Sequence, residues 1–133
     1  MKNNQARYST VLLIDDNEID NFINERMITS SRFAEKVEVK NSADAALNFL
    51  RGLKEGDTIP EIIFLDLNMP VKDGFAFLIE FDQMSEFIRA NTKIVVLSSS
   101  ISPDDINKAS TNPYVIKYVN KPLSDKYLDA ISI

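Results

Sequence analysis

Short apolar runs recur along this chain at intervals, and what lies between them has the length and periodicity of helices. The runs are Val11–Ile14 (VLLI), Lys36–Lys40 (KVEVK), Ile62–Leu65 (IIFL), Ile94–Leu97 (IVVL) and Tyr114–Val119 (YVIKYV). The first, third and fourth are apolar throughout, as strands of a parallel sheet covered on both faces must be. The second and fifth alternate, which suits the two edges. Between them, Ser42 reads as an N-cap for a helix with Ala43, Ala46, Leu47 and Leu50 on one side. Gly74, Phe77, Leu78 and Phe81 repeat that spacing, and the first helix is expected to turn Ile19, Phe22, Ile23 and Met27 inward. Ser124 is expected to cap the last helix, with Leu123 stapled to Leu128. The segment from Asp104 to Ser110 is the weakest helix, with only Ile106 and Ala109 to bury. Five β–α units with right-handed crossovers give an α/β, doubly wound sheet with helices on both faces. The polar stretch Arg51–Pro60 is expected to be a surface connection, and 133 residues suit a single domain spanning 1–133.

In such a sheet, ligands gather beyond the carboxyl ends of the strands. Asp15 and Asp16 follow the first apolar run and Asp66 follows the third. Ser98, Ser99 and Ser100 follow the fourth, and Lys121 with Pro122 follows the fifth. Three carboxylates, a hydroxyl and an ammonium ion therefore converge on one edge. Singly, each has an ordinary explanation: Asp15–Asn17 can cap a helix, the serines can be a loop, Lys121 can be solvated. Jointly they suggest a site. Clustered carboxylates repel, so without a cation at least one should have a raised pKa. An all-oxygen donor set suits a hard cation such as Mg²⁺, which commonly also meets a phosphate. Asp66 is then a candidate nucleophile toward a phosphoryl group, with Ser98 and Lys121 holding its oxygens.

The chain has no His and no Cys. That removes Ser-His-Asp catalysis, thiolate metal sites, disulfides and any phosphohistidine within the chain. A net charge of −5 argues against a nucleic-acid or anionic-membrane footprint. The first ten residues, MKNNQARYST, lack the apolar core of a secretory signal, so a cytoplasmic location is the expectation.

Together, LLIDD, FLDLNMPVKDG, VVLSSS and YVNKP resemble the motifs of a response-regulator receiver domain of two-component signalling, over about Tyr8 to Ile133. The resemblance implies a flavodoxin-like fold of strand order 2-1-3-4-5. It implies phosphorylation at Asp66, and Mg²⁺ held by Asp16 and Asp66, by Asp15 through water and by the main-chain carbonyl of Asn68. Lys121, before an expected cis bond to Pro122, would contact the acyl phosphate. Ser98 would be the switch hydroxyl, Tyr118 the switch aromatic, and Asn68 and Ser100 would tune loss of the phosphoryl group. Pro70, Asp73 and Gly74 match the turn after the phosphorylated strand. The implied partners are a sensor histidine kinase or histidine phosphotransfer protein and a downstream protein. The latter would meet the face of the fourth helix, fifth strand and fifth helix, and a homodimer is a further option. The implied chemistry is self-catalysed phosphoryl acceptance with slow autodephosphorylation, not enzymatic turnover. No output domain follows the fifth helix, so the chain reads as a stand-alone regulator or an excised domain.

Two other readings stay open from the residues. An aspartate-nucleophile phosphatase of the haloacid-dehalogenase type also ends a strand on Asp, but it needs a second Asp where this chain has Asn68. A flavodoxin-like binding module without phosphorylation would leave the acidic and basic set unexplained. A P-loop kinase is excluded because G-x-x-x-x-G-K is missing.

Overall fold

The computed structural model describes residues 6–131; residues 1–5 and 132–133, which the single-domain expectation includes, lie outside it. The elements run β1 (Tyr8–Ile14), α1 (Glu18–Ser30), β2 (Ala34–Lys40), α2 (Ala43–Arg51), β3 (Ile62–Leu65), α3 (Gly74–Phe81), α4 (Glu86–Arg89), β4 (Lys93–Ser98), α5 (Pro103–Ser110), β5 (Val115–Asn120) and α6 (Asp125–Asp129). All strand pairs are parallel, in the order β2-β1-β3-β4-β5. The fully apolar runs are the three central strands and the alternating ones are the edges, as their patterning requires.

Strand alternation sorts the core into two faces. Leu12, Ile14, Ile63 and Leu65 face one way, under Leu47 and Leu50 of α2 and Phe77 and Phe81 of α3. Val11, Leu13, Ile62 and Phe64 face the other way, with Ile28 of α1 and Leu128 of α6. Each such side chain contributes roughly 1.5–3 kcal/mol on leaving water. Side-chain caps begin α2 and α6 as their sequences suggest, Ser42 accepting from the Ala45 N–H and Ser124 from Tyr127, and Asp73 caps α3 by accepting from Ala76. Leu123 and Leu128 are both buried in the same cluster, consistent with the expected staple.

Three points depart from the sequence reading. The inward face of α1 is Asn21, Asn24 and Ile28, whereas Ile19, Phe22 and Ile23 are 71%, 62% and 46% exposed and only Met27 is partly packed. The two asparagines are buried because each has backbone work to do. Asn21 Nδ2 donates to the Asp15 carbonyl at 2.8 Å, and Asn24 Oδ1 accepts from the Leu123 N–H at 3.3 Å. The second is α4, a single turn that no periodicity announces. It is held by burial of Ile88 and by Arg89 Nε donating to the Met84 carbonyl at 2.7 Å. The connection expected from Arg51 begins one residue later, because Arg51 still belongs to α2.

Candidate phosphoacceptor and metal site at the carboxyl edge of the sheet

Register places the acids. Ile14 pairs with Leu65 across β1 and β3, so Asp15 and Asp66 are the next residues on neighbouring strands. The Asp66 N–H donates to the Ile14 carbonyl at 3.0 Å, which continues the ladder one step past the strands. Asp15 and Asp66 are buried, and Asp16 is exposed at the rim. One oxygen from each of the three lies within 4.8 Å of the others. The close placement expected from the sequence is therefore met.

The electrostatics follow from this crowding. Burial, reinforced by the neighbouring charge of Asp15, pushes the Asp66 carboxyl up to about 6, against the opposing pull of Lys121 and the Asn68 N–H. Lys121 Nζ lies 2.6 Å from Asp15 Oδ2, 3.0 Å from Asp20 Oδ2 and 3.6 Å from Asp66 Oδ1. Burial works against the lysine's charge, but hydrogen bonds to Asp15 and Asp20 and the field of Asp66 outweigh it and raise its pKa. The Lys121–Pro122 bond is cis.

The loops are built to hold this edge. Asp15 Oδ1 accepts from the Asn17 N–H at 3.0 Å, and Asn17 in turn caps α1. Asn68 and Pro70 are exposed on the loop after β3. Gly74 returns that loop against the strand, its N–H donating to the Leu67 carbonyl at 2.9 Å. A Cβ on Gly74 would stand 2.7 Å from the Asp66 carbonyl oxygen and 2.8 Å from Leu67 Cα, so a side chain there would displace the Asp66 backbone. Ser98 is fully buried; its Oγ accepts from the Ser100 N–H at 3.0 Å and its carbonyl accepts from the Lys121 N–H at 3.0 Å. The half-buried Tyr118 donates its hydroxyl proton to the Ser100 carbonyl at 2.9 Å, and Ser100 Oγ donates to Asp105 on α5 at 2.7 Å.

The structure thus draws Asp15, Asp16, Asp66 and Lys121 into one cluster, ties Ser98 to it through the backbone, and sets Tyr118 one loop away. Sequence reasoning missed Asp20, Asn21 and Asp105. Asp20 stands in the first turn of α1, where an acid also suits the helix dipole, so nothing in the sequence separated the two uses.

The donor set fits a hard divalent cation. It is all oxygen, two of its three acids are buried side by side, and burial with the charge of Asp15 pushes Asp66 toward neutrality.

Comparison with known proteins agrees with this fold. The family model for the response regulator receiver domain matches residues 11–132. The probable methanogenesis regulatory protein FilR2 of Methanothrix harundinacea (strain 6Ac) is 36% identical over 116 residues, covering 86% of this chain and 72% of the relative. The crystal structure of a two component response regulator from Cytophaga hutchinsonii superposes with a TM-score of 0.84 at 36% identity, covering 91% of each chain. The Mn(2+)-bound form of response regulator Rcp1 superposes with a TM-score of 0.71 at 28% identity, covering 90% of this chain and 86% of that one.

Proposed function

The chain belongs to the response regulator receiver family, and on that premise we propose that Asp66 accepts a phosphoryl group in a Mg²⁺-dependent reaction that switches a protein-binding face. The observation that carries this reading is the placement of Asp66. It is a buried carboxylate with an oxygen within 4.8 Å of Asp15 and Asp16 oxygens and 3.6 Å from Lys121 Nζ.

The donor is a phosphohistidine on a sensor histidine kinase or histidine phosphotransfer protein, or a small acyl phosphate. An Asp66 oxygen forms the new P–O bond as the P–N bond of a phosphohistidine breaks, or as the P–O bond of an acyl phosphate breaks and its carboxylate leaves. From a protonated phosphoimidazole, the bonding pair leaves on nitrogen as neutral imidazole. Asp15, Asp16, Asp66 and the Asn68 carbonyl would hold Mg²⁺, which when bound supplies positive charge to the phosphoryl oxygens. Lys121 orients and neutralises one of those oxygens, and the Ser98 O–H donates to another. Neither residue needs to exchange a proton with the substrate, so positioning and charge do the work. Asn68 and Ser100, two residues beyond Asp66 and Ser98, flank the path of a hydrolytic water and tune slow autodephosphorylation.

The product adds about one to two negative charges. Ser98 and Lys121 shift toward them, and the Ser100 segment follows through the Ser98–Ser100 hydrogen bond. Tyr118 is hydrogen-bonded to that segment and α5 is tied to it through Asp105, so the face of α5, β5 and α6 repacks. That face meets the downstream protein or a second copy of the chain. Exposed Ile19, Phe22 and Ile23 on α1 offer apolar contact to the phosphodonor protein, because Asp20 and Ile23 share a cleft with Lys121. Pro70 and Pro122 shape the loops that border the site.

The test is labelling with radioactive acetyl phosphate and Mg²⁺. The native chain takes up acid-stable, base-labile label, and Asp66→Asn takes up none. Equal labelling of the two would reject Asp66 as the acceptor, and turnover of a phosphomonoester would favour a phosphatase.

A further inference from the structure

Lys121 Nζ has three protons to donate. Two go to Asp15 and Asp20 at hydrogen-bonding distance, 2.6 and 3.0 Å, while Asp66 at 3.6 Å feels the charge without a hydrogen bond. The two holders differ. Asp15 is buried and fixed by the Asn17 N–H and, through its backbone carbonyl, by Asn21. Asp20 is not fixed in that way. Its side chain is 36% exposed on the first turn of α1. It borders an open cleft of about 230 Å³ lined with Ile23, Asn24, Ser99, Lys121 and Pro122. Turning its carboxylate into water exchanges a part-exposed ion pair for hydration at little cost, so this is the contact that can be given up.

We propose that Asp20 is a positioning residue that competes with the acceptor site for Lys121, holding the ammonium ion on the α1 side and releasing it when a phosphoryl group reaches Asp66. This rests on the phosphoacceptor reading above. Asp20 touches neither the phosphoryl group nor Asp66; it acts only through the lysine. Its presence sets a threshold: phosphoryl transfer must draw Lys121 away from one carboxylate before the new charge is neutralised.

The experiment compares initial rates of labelling by acetyl phosphate with Mg²⁺ in the native chain, Asp20→Asn, Lys121→Ala and the double variant, with Asp20→Ser as a second replacement and far-UV circular dichroism confirming that each folds. The expected result is an acceleration of about two- to fivefold in Asp20→Asn and Asp20→Ser, the range that a part-exposed ion pair is worth. No further acceleration is expected when Asp20→Asn is added to Lys121→Ala, because no ammonium ion is left to release. An unchanged rate in both Asp20 variants, or the same acceleration without Lys121, overturns the role of Asp20 and leaves the phosphoacceptor reading standing. A folded native chain that takes up no label overturns both.

Discussion

Asp66 is costly to the fold, and the cost suits the phosphoacceptor role proposed for it. Its pKa is raised from 3.8 to about 6, first by burial and then by Asp15. Between those values the native chain keeps a proton that the unfolded chain has lost. The stabilisation tied to that proton is complete below about pH 4 and is lost as pH rises through 6. Two units correspond to about 3 kcal/mol. In metal-free buffer, Asp66→Asn should therefore gain stability relative to the native chain as pH goes from 4 to 7, by up to about 3 kcal/mol. Urea unfolding at both pH values measures this, and an offset that does not change with pH would show that Asp66 carries no such strain. The acids Asp15, Asp16 and Asp66 and the base Lys121 were legible in the sequence because each follows an apolar run. Asp20 was not, since no strand precedes it and its partner lies 101 positions away.

Among the elements, α1 departs most from its sequence pattern. Its apolar residues at Ile19, Phe22 and Ile23 have helical spacing, yet they face solvent while Asn21 and Asn24 face the core. Periodicity reports that a helix has an apolar side. It does not say whether that side meets the sheet or another molecule, and buried asparagines with backbone partners are invisible to it. If the exposed side receives the phosphodonor protein, Phe22→Asp should slow phosphoryl transfer from a phosphorylated histidine phosphotransfer protein by tenfold or more, the scale of losing one apolar anchor of about 1.4 kcal/mol or larger. Labelling by acetyl phosphate, which needs no docking, should be unchanged. Equal slowing with both donors would place the effect in the site and not on the surface. The single turn α4 escaped notice for a simpler reason: four residues are too few to show a repeat.

For the whole molecule, the strand count, the edge assignments and the layering were legible because the apolar runs differ in kind between centre and edge. Strand order came from the resemblance and not from patterning. It matters because β1 and β3 must be neighbours for Asp15 and Asp66 to share an ion. A cation bound at that junction would couple to global stability. Mg²⁺ at about one hundred times its dissociation constant should stabilise the fold by about 2.7 kcal/mol. The midpoint of thermal unfolding should rise by several degrees over a control of equal ionic strength without Mg²⁺, and the absence of any rise would deny the cation a place in the native state. The opposite end of the same sheet has a different use. The turn around Gly56, whose φ is 97°, meets no neighbouring atom within 4 Å of where a Cβ would stand, and it leads into β3 at the end away from Asp66. Four strand residues, about 13 Å of rise, separate the two. A fluorescent protein spliced into that turn would ride on the far side of the sheet from the acids, giving a signalling probe whose cargo does not obstruct its own chemistry.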